Sequence, residues 1–183
     1  MFNIMKLKIK VKRISKNIEL PKIIDKGEWI DLRASETFSL QAPQAETLKT
    51  HTLDGMRVSH RDVNFDYKLI PLGIAIKLPK GFEAIVAPRS STYKNYGIIQ
   101  TNSIGVIDNS YCGDSDEWKM PVLAFRDTII NEGNRVCQFR IQLSQKATMW
   151  QKIKWLLSSG IKLEEVESLG DNNRGGFCST GVN

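Results

Sequence analysis

Cysteine is scarce in this chain. Cys112, Cys137 and Cys178 are an odd set of three with no CxxC pair. That argues against a disulfide framework or a zinc knuckle and fits a reducing, cytoplasmic setting. Long apolar runs are missing as well. No stretch approaches the ~18 residues a membrane span needs, and the opening MFNIMKLKIKVKRISK has lysines where a secretory signal keeps an uninterrupted apolar core. No membrane partner is expected. An acidic excess is also absent, the formal net charge being +6. A basic balance raises nucleic acid as a partner, because lysine and arginine neutralise phosphates. Against it, Lys6, Lys8, Lys10 and Lys12 alternate with Leu7, Ile9 and Val11 as the wet face of one strand. No aromatic residues interleave with those lysines as a stacking platform requires, so no stable nucleic-acid binding is expected.

What the chain has is period-2, β-branched patterning punctuated by glycine and proline. Residues 6–14, 67–78, 82–87, 98–101, 104–107, 120–126 and 136–143 read as strands. Many short strands with Gly and Pro turns predict an all-β sandwich or barrel-like fold. A chain of 183 residues suits one domain that buries roughly 70% of its unfolded surface. That domain is placed at 1–170, with insertions at about 41–66 and 147–160. One short helix is predicted at Ser90–Tyr96, with Ser90 to cap its start. Residues 41–66 are polar, irregular and hold both histidines, His51 and His60; a surface loop or hairpin is expected there. ATMWQKIKWLLS, at 147–158, predicts a second helix with Trp150, Ile153 and Leu157 on one face and Trp155 and Leu156 partly off it. Packing against its own domain or a neighbouring subunit is the ordinary reading; a docking helix for a protein partner at Trp150, Ile153 and Trp155 is the other. Residues 171–183, rich in Gly, Asn, Ser and Thr, read as a mobile arm.

Chemistry concentrates in a few places. In Gly105–Gly113, GVIDNSYCG, the apolar pair Val106-Ile107 delivers Asp108 into a turn bounded by glycines, with Tyr111 three residues on. Such a hairpin can wrap a planar ligand with its backbone and hold one acid against it. Pro88-Arg89-Ser90-Ser91 sets an arginine and two hydroxyls where a strand meets a helix. It reads either as an anion site or as an ordinary cap beside a surface arginine. Asp31, inside the apolar Trp29–Ala34 strand, needs a partner: a salt bridge, or a place near a metal or catalytic water. The run from Arg174 to Gly181 offers phosphate donors in Arg174, Ser179 and Thr180, and Phe177 there could stack on a base. Both histidines lie in the irregular segment, which leaves a carboxylate as the natural base.

Read in order, Trp29–Ala34, Pro88–Ser91, Gly105–Gly113, Gly133–Gln138 and Arg174–Gly181 resemble the five motifs of the trimeric dUTP diphosphatase (dUTPase) family. WIDLRA and PRSSTYKNYG are similar in form to dUTPases of Gram-positive bacteria and their phages. The resemblance implies a jelly-roll-like β-barrel (a β-clip), a homotrimer, dUTP as substrate and Mg²⁺ as cofactor. It implies that Asp108 deprotonates the water that attacks the α-phosphorus, and that Tyr111 packs under the deoxyribose and excludes a 2′-hydroxyl. The backbone of Asn102, Gly105, Val106 and Ile107, with the hairpin's return at Gly113, is implied to read the uracil edge. Arg89, Ser90, Ser91 and Gln138 are implied to hold the phosphates and the water. Asp31 is implied to reach the Mg²⁺ shell through water, and Ser179, Thr180 and Arg174 to close over the γ-phosphate. The arm is implied to come from a third subunit.

Some positions depart from the family pattern. Arg174 and Phe177 stand three apart, closer than is usual, so Trp118 rivals Phe177 as the aromatic lid over the base. A dCTP deaminase shares this fold, but it needs a glutamate on the strand after the hairpin. Trp118 to Phe125 has no acid. A regulatory binding protein docking through the 147–158 helix is the reading from a different class.

Overall fold

The computed structural model describes residues 6–25 and 27–176. Phe177, Cys178, Ser179 and Thr180 lie outside the described residues. Alternating burial sets the first strand, β1 (Leu7–Arg13): Leu7, Ile9 and Val11 are buried while Lys8 and Lys10 face water. The wet-face reading of the lysines holds, and Lys8 and Lys12 find Glu164 and Asp114 at 3.6 and 3.5 Å.

After β1 come β2 (Ile30–Arg33) and β3 (Phe38–Leu40), then four short strands, β4 (Gln44–Ala45), β5 (Lys49–Leu53), β6 (Met56–His60) and β7 (Val63–Asn64). β5 pairs with β6 inside a β4–β7 pair, so the expected insertion is a nested hairpin. β8 (Tyr67–Pro71), β9 (Ile74–Lys77) and β10 (Phe82–Pro88) lead to helix α1 (Thr92–Tyr96). β11 (Ile98–Gln100), β12 (Gly105–Asp108), β13 (Lys119–Ala124), β14 (Thr128–Ile130) and β15 (Arg135–Leu143) follow. Helix α2 (Met149–Leu156) and strand β16 (Ile161–Glu165) complete the described elements.

Three sheets wrap one core, ordered β16-β1-β9, β12-β10-β15-β2 and β11-β13-β8. Neighbours are mostly non-consecutive in sequence, as in a jelly roll, and the described strands do not close into a barrel. Trp118, Phe82 and Phe139 are the largest fully buried side chains, and Trp118 meets Phe139 edge-on at 5.3 Å. No described helix is long and apolar enough to cross a membrane.

Three local expectations change. The single strand over 67–78 is two, β8 and β9, which belong to different sheets. The chain turns at Gly73, whose φ is +66° and where a Cβ would lie 2.6 Å from Ile18 Cδ1, so only glycine fits. Helix α1 begins later than predicted, with Ser91 rather than Ser90 at its N-cap and no side-chain cap bond. Thr92 organises this corner instead, its hydroxyl accepting from Arg89 N at 3.0 Å and donating to Val136 O at 2.8 Å.

Helix α2 presents the other face. Thr148 and Gln151 form a capping box, with bonds of 2.7 and 3.4 Å. The Gln151 amide lies over Gly81, and one turn later the Trp155 ring meets Phe82 edge-on at 5.4 Å. Trp150, Ile153 and Leu157, expected to pack on the domain or on a neighbouring subunit, do not pack on their own domain, and Trp150 is 79% exposed. Trp155, one of three residues read for docking a partner, is engaged with the core. Trp155→Ala is expected to cost about 1–2 kcal/mol in urea unfolding. Trp150→Ala should stay within about 0.5 kcal/mol of wild type.

Candidate active site

A cavity of about 280 Å³ opens between β12, the start of β13 and the arm, lined among others by Asn102, Val106, Asp108, Tyr111 and Arg174. The β12 strand is held antiparallel to β10, Gly105 opposite Val86 and Asp108 opposite Glu83. The Gly105–Gly113 segment is therefore a strand that ends at Asp108 and a turn closed by Tyr111 N donating to Asp108 O at 3.2 Å.

Asp108 accepts from Ser110 N at 2.8 Å, from the Ser110 hydroxyl, and from Arg174 Nη1 at 2.8 Å. Partial burial works to raise its pKa, but the Ser110 donors and the Arg174 guanidinium outweigh it and hold the carboxyl below its ordinary value. It is ionised at neutral pH. Tyr111 anchors its ring by donating from Oη to Glu117 O at 2.8 Å, and its outer face lies against Gly176.

The arm is positioned by a residue that sequence reasoning missed. Asp116 is 1% exposed. Its carboxylate accepts from Gly113 N at 2.8 Å, Gly175 N at 2.9 Å and Arg174 N at 3.0 and 3.1 Å. Burial pushes its pKa up, but these amides, with that of Cys112, hold it below the ordinary value. Asn173 adds a bond to Ser115 N at 2.8 Å. Gly113 admits the arm: a Cβ there would lie 2.5 Å from Asn173 Cα. Gly113 faces the arm and is not among the cavity-lining residues.

Trp118 is fully buried, so it forms part of the cavity wall and cannot serve as a lid. Among the described residues, two buried side-chain polar atoms lack a hydrogen-bond partner, Gln100 Oε1 and Trp118 Nε1. Both residues line this cavity. Buried polar atoms left unpaired cost about 1–3 kcal/mol each. Burial and Asp171 raise the thiol pKa of Cys112, which disfavours its thiolate.

A second cluster lies elsewhere. Asp31 accepts from Arg89 Nε at 2.7 Å and from Arg135 Nη1 at 3.0 Å, the salt-bridge reading, with Arg135 unforeseen. Ser91 Oγ is 3.5 Å from Arg89 Nη1, Ser90 is exposed, and Gln138 Nε2 donates to Pro88 O at 3.4 Å. Gln138 pairs with both Ala87 and Asp31 across the sheet. This cluster sits beyond the end of β10, whereas Asp108 lies beside its start. From Glu83 to Arg89 the strand runs about 20 Å. One chain therefore keeps its carboxylate site and its arginine site apart. The expected tight hairpin does not form, because β12 pairs with β10 and β13 with β11 and β8; the arm, implied to come from a third subunit, lies through residue 176 on its own chain's segment after β12.

No group of three or more His, Cys, Asp or Glu side chains that could hold a metal occurs among the described residues. The donor set lacks a protein cage but suits a cation that arrives on a polyphosphate, since Mg²⁺ retains waters and binds through one or two carboxylates plus phosphates.

A sequence model of the family described as dUTPase matches residues 59–154. The SPbeta prophage-derived deoxyuridine 5′-triphosphate nucleotidohydrolase of Bacillus subtilis (strain 168) is 41% identical over 176 residues, covering 96% of this chain and 99% of that protein. A deoxyuridine 5′-triphosphate nucleotidohydrolase of Finegoldia magna is 32% identical, covering 76% of this chain and 90% of its own. Among solved structures, a dUTPase from Streptococcus mutans superposes with a TM-score of 0.54 at 19% identity, over 70% of this chain and 88% of that one. A variant dUTPase from phage phi11 of S. aureus, described as coordinating a structural Mg(II) ion, gives 0.57 at 15% identity, over 77% and 94%. At those identities the structural likeness shows the fold.

Removing the Asp116 carboxylate is expected to release the arm. Asp116→Ala should be cut by trypsin after Arg174 about tenfold faster than wild type, read by mass spectrometry. Because the folded pKa is lowered, the Asp116 contribution is present above the ordinary 3.8 and is lost as pH falls through the depressed value. Protection of the Gly175 amide, read by hydrogen exchange, should therefore persist at pH 5 and be lost only below the ordinary aspartate value.

Proposed function

Because the chain belongs to the dUTPase family, we propose that it hydrolyses dUTP to dUMP and pyrophosphate in the cavity beside Asp108. The observation that carries this reading is the ionised Asp108 carboxylate in a cavity shaped by Asn102, the Gly105–Ile107 backbone and Tyr111. Asp108 takes a proton from a water. The water oxygen bonds to the α-phosphorus as the bond to the bridging oxygen breaks, and pyrophosphate leaves. Asp108 is a modest base, so alignment of the water and neutralisation of charge supply most of the acceleration. Mg²⁺ carried on the triphosphate would add charge neutralisation, with Asp31 touching its waters. Tyr111 closes the sugar side of the cavity against a 2′-hydroxyl.

Arg89, Ser90, Ser91 and Gln138 serve as phosphate and water ligands from a second copy of the chain. The roughly 20 Å of backbone between the two clusters along β10 supports that assignment, because the register places them at opposite ends of the strand. An exposed aromatic patch gives a second copy something to cover. Phe125 meets Phe65 at 5.2 Å and Tyr93 at 6.2 Å, and Tyr67 beside them is 50% exposed. A homotrimer in the cytoplasm is the assembly proposed. Ser179, Thr180 and Phe177 complete the triphosphate and base contacts in this reading. A deaminase is disfavoured by Glu117, whose carboxylate accepts from Gly73 N at 2.9 Å and is not among the cavity-lining residues. The exposed Trp150 and Ile153 leave room for a protein partner without touching the cavity.

Pyrophosphate release with Mg²⁺ tests the activity on dUTP, dCTP, dTTP and UTP. Release from dUTP alone is expected, with Asp108→Asn slower by about 10²–10⁴-fold; equal release from all four would overturn the reading. Mixing Asp108→Asn with Arg89→Ala protein should restore part of the activity through mixed assemblies. No recovery after verified subunit exchange would refute shared sites. The acid limb of the wild-type kcat/KM profile should lie below the ordinary aspartate range. In Arg174→Ala it should move to higher pH, because the guanidinium that favours the ionised carboxylate is gone.

A further inference from the structure

We propose that Gln100 is a positioning residue for base selection. Its side-chain amide orients Asn102 so that the Asn102 NH₂ group faces the cavity and favours a 4-oxo pyrimidine over a 4-amino one. This rests on the dUTP-hydrolysing reading and supplies the means by which that site rejects dCTP.

The orientation follows from a chain of three groups. Gln100 is 7% exposed at the end of β11, where its backbone is paired with Val122. One end of its amide lies 3.3 Å from Val86 O and 2.8 Å from Asn102 Oδ1. A peptide carbonyl can only accept, so the end of Gln100 facing Val86 must be the NH₂ group. Its second hydrogen then goes to Asn102, which must offer its oxygen. With Oδ1 taken, the free end of the Asn102 amide is Nδ2, which only donates. That nitrogen lies beside Gly105, where a Cβ would be 3.7 Å from it. Gln100, Asn102 and Gly105 all line the one cavity, and the turn carrying Asn102 is closed by Ser103 N donating to Gln100 O at 3.3 Å.

A donor at that position has a definite chemical consequence. Uracil carries an acceptor, O4, where cytosine carries a donor, the N4 amino group. Asn102 Nδ2 can bond the first and opposes the second. Were Asn102 free to rotate, it could turn Oδ1 to the base and accept from cytosine equally well. Gln100 removes that freedom, and a fixed, buried carbonyl in β10 anchors Gln100. Discrimination therefore begins at Val86 O, two groups away from the base.

The test is binding of dUMP and dCMP by calorimetry, together with kcat and KM for dUTP and dCTP. Wild type is compared with Gln100→Met, Asn102→Ala, the double variant and Asn102→Asp. Gln100→Met is expected to lower the dUMP-to-dCMP affinity ratio about tenfold and to raise KM for dUTP more than it lowers kcat. In the double variant the ratio should match that of Asn102→Ala, because Gln100 acts only through Asn102. Asn102→Asp keeps an oxygen for Gln100 and turns an acceptor to the base, so its preference should shift toward dCMP. Equal weakening of both nucleotides in Gln100→Met, or effects that simply add in the double variant, would overturn the assignment. Should Gln100→Met fail to fold, an unchanged ratio in Asn102→Asp overturns it alone. Wild-type protein that hydrolyses no nucleotide would defeat the hydrolytic reading, while the binding ratios still decide the role of Gln100.

Discussion

One carboxylate, Asp116, holds the cavity side of this molecule together. A charged group this deeply buried is costly unless hydrogen bonds replace its water, and here backbone amides of the segment after β12 and of the arm do so from two sides. The same bonds bring Arg174 to Asp108 and Gly176 to the Tyr111 ring. The close pass of Asn173 over Gly113 is affordable only because no side chain stands there. With Asp114, which accepts from the Ser168 hydroxyl and Leu169 N, Asp116 ties together two segments some sixty residues apart and so forms one wall of the cavity.

β10 does the complementary work of separation. It is the shared neighbour of β12 and β15, so it receives the Asp108 strand at its start and the Gln138 strand along its length. Antiparallel pairing then carries Arg89, Gln138 and Asp31 to the opposite end. The arginine and the carboxylate that a polyphosphate hydrolase needs are thus rigidly held but held apart. The proposed catalytic unit built from more than one copy rests on this register rather than on any feature of composition. Asp31, shared between Arg89 and Arg135, keeps the arginine end pre-ordered.

Legibility in the sequence tracked how local the cause was. β1 was readable because alternation of Lys with Leu, Ile and Val depends only on neighbours two apart. The strand at Gly105 to Asp108 was readable for the same reason, but its pairing with β10 rather than with a hairpin partner was not. The 67–78 run was misread as one strand because both halves alternate, and only contact with Ile18 explains the turn at Gly73. Helix α2 had the right place, but the face that packs on its own domain is another one. Its apolar positions suggested Trp150 and Ile153, but the capping box aims Gln151 and Trp155 at Gly81 and Phe82. In the 114–117 segment, nothing local singles out Asp116. It is the most buried acid described, for a reason lying sixty residues downstream.

The sequence by itself determined an all-β chain and its family, through five short segments whose residue types and order are set by the chemistry they carry. It also pointed to a carboxylate as the natural base, since both histidines lie in the peripheral hairpin, and the family resemblance singled out Asp108. Tertiary structure alone decided that Trp118 is wall rather than lid, that Asp116 is buried under the arm and Gln100 bonded to Asn102, and that Asp108 and Arg89 do not meet within a chain. The physical reason is that burial and amide orientation arise from contacts between distant segments. A residue's type states what it can donate or accept, but only the folded neighbours determine which of its atoms face the ligand.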